Sequence, residues 1–131
     1  ILSDRLAEAT AEWLHEKIRK EFWAYAPDEN LTPQELFRNK FQGIRPAPGY
    51  PACPDHSEKR ILFDILRAEE NIGVHLTENY TMDPPASVCG YIFDHPASTY
   101  FNVGPIAPDQ LQNYAQRKNI TLQEAEKLVR T

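Results

Sequence analysis

The sequence predicts an α+β fold, helices packed on a small antiparallel sheet, and three observations carry that expectation. Apolar residues near the start recur at steps of three and four, the period of a helix. The stretches His75–Met82 and Ser87–Val103 are instead rich in Tyr, Phe, Thr and Val, as strands are. The order α-α-loop-α-β-β-β-α-α groups the strands instead of alternating them with helices, which favours antiparallel pairing.

Taken in order, the first helix should run from Ser3 to about Ala26, with Ala7, Ala11, Leu14, Ile18, Phe22 and Tyr25 along one stripe. Ser3 is placed to cap it, acidic residues precede basic ones as the macrodipole favours, and Pro27 should close it. Thr32-Pro33-Gln34-Glu35 spells a capping box with proline at the first helical position, opening a short helix toward Phe41. Gly43 to Pro54 holds four prolines and two glycines, which neither a helix nor a central strand tolerates. A third helix should begin at Ser57-Glu58, carry Ile61, Leu62, Ile65 and Leu66 on one side, and stop at Gly73. Three strands with one hairpin follow, interrupted at Asp83-Pro84-Pro85 and at Asp94 to Ser98. Pro108-Asp109 opens a helix ending near Asn119, and Thr121 to Glu124 repeats the capping box before a last helix.

The 131 residues are 41% hydrophobic and 25% charged, which suits one globular domain. Fourteen Lys and Arg against nineteen Asp and Glu leave a net charge of −5, and no basic run exceeds two residues, so nucleic-acid binding is not expected. The nearly apolar run from Ala86 to Phe93 is too short to cross a bilayer, and no membrane partner is expected. Two cysteines, Cys53 and Cys89, make neither a zinc ribbon nor a disulfide framework, and with no signal-peptide pattern a cytoplasmic location is the expectation. The only methionine is Met82, so the chain is expected to be a piece of a longer protein.

The proline-rich loop is the most informative segment. Arg45, Ala47, Tyr50 and Cys53 each precede a proline and are pushed toward extended backbone. Such a loop leaves peptide groups at residues such as Ala52 able to bond the edge of a planar heterocycle. Gly49 admits close approach, Tyr50 offers a stacking face, and Arg45 can grip a carboxylate through two bonds. Those features suit an amino-acid nucleotide; a rigid loop covering the sheet is the plainer alternative. Elsewhere the plain explanations prevail. Glu8, Glu12 and Glu16 fit a solvated helix face, Tyr100 and Phe101 fit strand aromatics, and Cys53 with His56 lacks a second pair for a metal. Isolated glycines exclude the G-x-G-x-x-G pattern of Rossmann-type methyltransferases.

The run Arg45-Pro-Ala-Pro-Gly-Tyr-Pro-Ala-Cys-Pro-Asp-His56 resembles the S-adenosylmethionine-binding motif of the activation domain of cobalamin-dependent methionine synthase. The likeness extends from Asp4-Arg-Leu-Ala-Glu8 to the His95-Pro96 and Tyr100-Phe101 hairpin. The family's domain begins well upstream, and an aspartate there that helps hold S-adenosylmethionine has no counterpart in this chain. The resemblance therefore implies that residues 1–131 are the C-terminal part of that domain and carry part of its cleft. It further implies an activation module of a methyltransferase, in which S-adenosylmethionine supplies a methyl group for reductive methylation of cob(II)alamin. No general acid or base is needed, so the chain's work is positioning and no catalytic residue is assigned. The implied partners are the cobalamin-binding domain of the same enzyme and a flavodoxin or flavin reductase as electron donor.

Position by position, the resemblance gives Arg45 the methionyl carboxylate, Tyr50 and Ala52 the adenosine, and Tyr100 and Phe101 the opposite wall, with Gly49 counted among the cofactor-binding residues. Glu8 matches an acidic position near the sulfonium. Two residues depart from the pattern: Phe101 stands where a second tyrosine is usual, and Asn39 where a carboxylate is expected. The other class of function is a stand-alone ligand-sensing or protein-interaction module without methyl transfer.

Overall fold

A computed structural model describes residues 1–129. The chain forms two compact units: Ile1–Arg45 with Ala86–Thr99, and Pro46–Pro85 with Tyr100–Thr131.

In the first unit, α1 spans Leu2–Lys17 and passes directly into a π-helical turn at Ile18–Phe22. The helix ends before Pro27 because the amides of Trp23 and Ala24 both return to the Ile18 carbonyl, and Ala24 turns to a φ of 58°. No side chain caps its start, so Ser3 lies inside the helix. The wide π turn also shifts the buried line from the simple 3.6-residue stripe. Leu14 and Phe22 are exposed, while His15 and Arg19 are each 1% exposed. Arg19 is compensated by Glu29, which accepts from its Nε and Nη2 at 2.8 and 2.7 Å, and its guanidinium lies 4.5 Å from the Phe41 ring centre. The Thr32–Glu35 capping box forms, and the short α2 at Pro33–Phe37 follows it. Phe41 and Ile44 are the buried apolar residues of this unit, and the Ile44 and Phe93 peptides exchange bonds of 2.9 and 3.0 Å. At Gly43, φ is +84° and an added Cβ would meet the Phe93 carbonyl oxygen at 2.1 Å, so glycine permits that approach.

In the second unit, the expected third helix is two: α3 at Glu58–Leu66 and α4 at Ala68–Ile72. Arg67 breaks them in the left-handed region, and the Asn71 side chain bonds the Leu66 carbonyl at 2.8 Å, satisfying an acceptor that the break frees. Gly73 closes α4 with a φ of 68°. The antiparallel sheet is smaller than expected: β1 at His75–Leu76 pairs with β2 at Met82–Asp83, His75 opposite Asp83. The predicted strand over His75–Met82 is thus itself the hairpin. Ser87–Val103 joins no ladder among the described residues, and only Phe93 in it makes a strand-like bridge. Its β-rich composition reflects suitability for a sheet, but a strand exists only where a second backbone pairs with it. α5 spans Pro108–Lys118 and ends at left-handed Asn119; α6 spans Leu122–Val129 behind the Thr121–Glu124 capping box. Among the described residues of this unit, Phe63, Ala68, Ala115 and Ala125 are buried, and so are the loop prolines Pro46 and Pro48.

Candidate functional site

Arg45 ends the first unit, one residue after the Ile44–Phe93 bridge that holds its backbone. Its side chain is only 19% exposed, and Nη2 donates to the carboxylate of Glu12 on α1. Glu12 is a contact that the sequence concealed, because its helical spacing from Glu8 and Glu16 reads equally well as a solvated face. Glu16 pairs locally with Lys20 at 3.3 Å, and Glu8 lies exposed one turn before Glu12. The Arg45 guanidinium is thus engaged by a carboxylate of the chain itself, that of Glu12. Burial, then the cations of Arg19 and Arg45, push His15 down to about 4, so it is neutral at physiological pH.

In the second unit, the proline loop makes two successive turns, at Pro48-Gly49 and at Pro51-Ala52, while Tyr50 and Cys53, each before a proline, pair in a strand-like bridge. Tyr50 and Cys53 form a narrow bridge: the Cys53 amide donates to the Tyr50 carbonyl at 2.8 Å, and the Gly49 amide donates to the Cys53 carbonyl at 2.7 Å. Gly49 has a φ of +94°, and an added Cβ would fall 2.1 Å from Cε1 of His56, so both backbone and space demand glycine. Ala52, at the tip, takes no part in these main-chain bonds. The Tyr50 ring is 61% exposed. The loop is thus a fixed frame that presents one aromatic face and unengaged peptide groups.

The Val103 amide donates to the Pro51 carbonyl at 2.9 Å, which ties the segment carrying Tyr100 and Phe101 to this loop. Both aromatics remain about half exposed, at 46% and 58%. A small hollow beside them is lined by Pro51, Pro54, Asn102, Val103, Ile106 and Val129.

Behind the loop lies a polar cluster. Asp55, 3% exposed, accepts from the Ser57 amide at 2.7 Å through Oδ1, and from the Tyr114 hydroxyl and Lys118 Nζ of α5 through Oδ2. Lys118 also bonds Glu58 at 2.6 Å. Burial alone would raise the Asp55 carboxyl, but the bonds from Lys118, Tyr114 and Ser57 outweigh it and hold it below the usual carboxylate range. Burial and the Asp55 acceptor push Tyr114 up to about 12. Buried Lys59 donates to the Tyr80 carbonyl at 3.1 Å and lies 2.9 Å from Nδ1 of His56; burial and that cation lower His56. Burial, with Glu58 and Asp55, raises the Cys53 thiol, which disfavours a nucleophilic thiolate. Among the described residues, no three His, Cys, Asp or Glu side chains gather in a metal-binding group, and no helix is long and apolar enough to cross a membrane.

Residues 1–119 match the family described as vitamin B12 dependent methionine synthase, activation domain. Among solved structures, the chain is similar to one titled as the crystal structure of the MetH reactivation domain bound to AdoHcy, with 53% sequence identity and a TM-score of 0.90. That match covers 95% of this chain and 38% of the solved one, so the chain spans well under half the length of its relative.

Proposed function

We propose, for a chain that belongs to the activation-domain family of vitamin B12 dependent methionine synthase, that it binds S-adenosylmethionine and serves the reductive remethylation of that enzyme's cobalamin. The observation that carries this reading is the Gly49–Cys53 turn, whose main-chain bonds leave the peptide groups of Ala52 idle beside an exposed Tyr50 ring. The donor set fits the ligand. Arg45 takes the methionyl carboxylate, releasing or sharing Glu12. The Ala52 peptide groups meet the adenine edge, Gly49 lets the ligand approach the backbone, and Tyr50, Tyr100 and Phe101 supply ring surface. Glu8 adds negative charge toward the sulfonium.

When bound, S-adenosylmethionine supplies an electrophilic methyl group and the cobalamin supplies the metal that receives it. The chain's own residues do not exchange protons in that reaction; they hold the methyl donor in line and keep it there, which is where the rate is gained. On this reading residues 1–131 form the C-terminal part of the activation domain, the cobalamin-binding domain of the same enzyme docks against it, and a flavodoxin or flavin reductase delivers the electron.

The test is an absorbance assay on the parent enzyme. Cob(II)alamin enzyme is mixed with reductant and S-adenosylmethionine, with and without Arg45→Ala. The variant should fail to recover the methylated spectrum, yet turn over normally when supplied already methylated. Full recovery in the variant would remove Arg45, and with it this reading of the loop.

A further inference from the structure

The loop's fixed shape needs a cause beyond its prolines, because its two turns are short and its outer face is open to water. Only two residues, Cys53 and Pro54, separate the tip residue Ala52 from Asp55, and Cys53 makes the bonds that define the turn, to Gly49 at 2.7 Å and Tyr50 at 2.8 Å. Pro54 has a ring-locked φ, so the orientation of Asp55 passes to Cys53 with little slack. Asp55 is in turn fixed from two directions: Oδ1 by the Ser57 amide at the start of α3, and Oδ2 by Tyr114 and Lys118 on α5. Lys118 closes the arrangement by bonding Glu58, the first residue of α3, at 2.6 Å.

We infer that Asp55 is a positioning residue for the ligand loop, a single buried carboxylate that docks the Gly49–Cys53 turn onto α3 and α5 and so sets the direction of the Ala52 peptide groups. This rests on the binding function proposed for that loop. The carboxylate offers acceptors only, and it faces three donors, a match that no neutral side chain of its size reproduces. An asparagine keeps the bond from the Ser57 amide but turns an NH2 toward a hydroxyl and an ammonium. Tyr114 then loses its acceptor and Lys118 keeps only Glu58, while the apolar packing is nearly unchanged.

Asp55→Asn should weaken S-adenosylmethionine binding about ten- to a hundredfold, the scale at which small misplacements of a positioning frame act. Ala125→Gly, a buried helix substitution remote in sequence from the loop, serves as the control for lost stability. At equal loss of melting temperature the control should keep wild-type affinity. Amide hydrogen exchange without ligand supplies the readout that a general brace would not move. The Gly49 and Cys53 amides should exchange faster in Asp55→Asn, while the α6 amides follow only global stability. Tyr114→Phe removes one donor and should give a smaller loss of affinity in the same direction; it also stands in if Asp55→Asn does not fold. Equal affinity losses in Asp55→Asn and Ala125→Gly, or unchanged Gly49 and Cys53 exchange, would overturn the assignment. Should the wild-type protein not bind S-adenosylmethionine at all, the binding function fails on its own, and the exchange comparison still decides whether Asp55 holds the turn.

Discussion

Replacing Gly49 by alanine tests the loop geometry with the fewest assumptions. The backbone there has a φ of +94°, and placing an L side chain in positive-φ space costs about 1–2 kcal/mol. The new Cβ would lie 2.1 Å from Cε1 and 2.4 Å from Nδ1 of His56, so the imidazole must leave. Because His56 is exposed it can rotate outward, but it then gives up its 2.9 Å contact with Lys59, a further loss of about 0.5–1.5 kcal/mol. The total is about 1.5–3.5 kcal/mol of folding stability. Urea unfolding of Gly49→Ala, His56→Ala and the double variant measures it as a cycle. His56→Ala should cost its contact once, and should cost almost nothing more on the Gly49→Ala background. A Gly49→Ala protein within about 0.5 kcal/mol of wild type, the range of an ordinary surface substitution, would refute both the positive φ and the packing of His56 on the turn.

Further expectations concern the two units separately. His15 has its pKa lowered from 6.5 to about 4 by burial and by Arg19 and Arg45, so between those values the unfolded chain binds a proton that the folded one refuses. Stability should therefore fall as pH drops from 6.5 to 4, by up to about 3 kcal/mol, and His15→Leu should flatten that part of a urea-unfolding pH series. Glu29→Ala leaves the Arg19 guanidinium buried without its bidentate partner and should cost about 3–5 kcal/mol by the same unfolding measurement. Pro51→Ala, at an exposed position of the turn, should lower S-adenosylmethionine affinity in calorimetry while shifting unfolding by less than about 1 kcal/mol, since the ordering cost then falls on binding.

The sequence was most legible where a local rule settles the backbone. Both Thr-x-x-Glu boxes form, Pro108 opens α5, and Gly73 ends α4, because each depends on residues three or four apart. It was least legible where distant residues decide. Nothing between Ser57 and Gly73 announces the break at Arg67, and the aromatic and β-branched content of Ser87–Val103 does not say whether a partner strand pairs with it. The site follows the same division. Arg45, Gly49 and Tyr50 of the proposed site stand in one continuous motif, so the proposal could be made from sequence alone. Glu12 and the Asp55–Tyr114–Lys118 cluster join residues far apart in the chain, and only folding brings them together. The π turn rotates Arg19 inward from a position where periodicity places a solvent-facing cation.

The central claim, that Arg45 and its loop hold S-adenosylmethionine by its carboxylate, is tested most directly by calorimetric titration of the ligand into wild-type and Arg45→Ala protein, in the complete activation domain and in the 131-residue chain. The account predicts saturable binding by the wild-type domain, binding at least tenfold weaker by the chain alone, and a loss of about 2–4 kcal/mol on removing the guanidinium, the scale of one member of a charge-assisted pair. An affinity for S-adenosylmethionine that is the same with alanine at position 45 would contradict it.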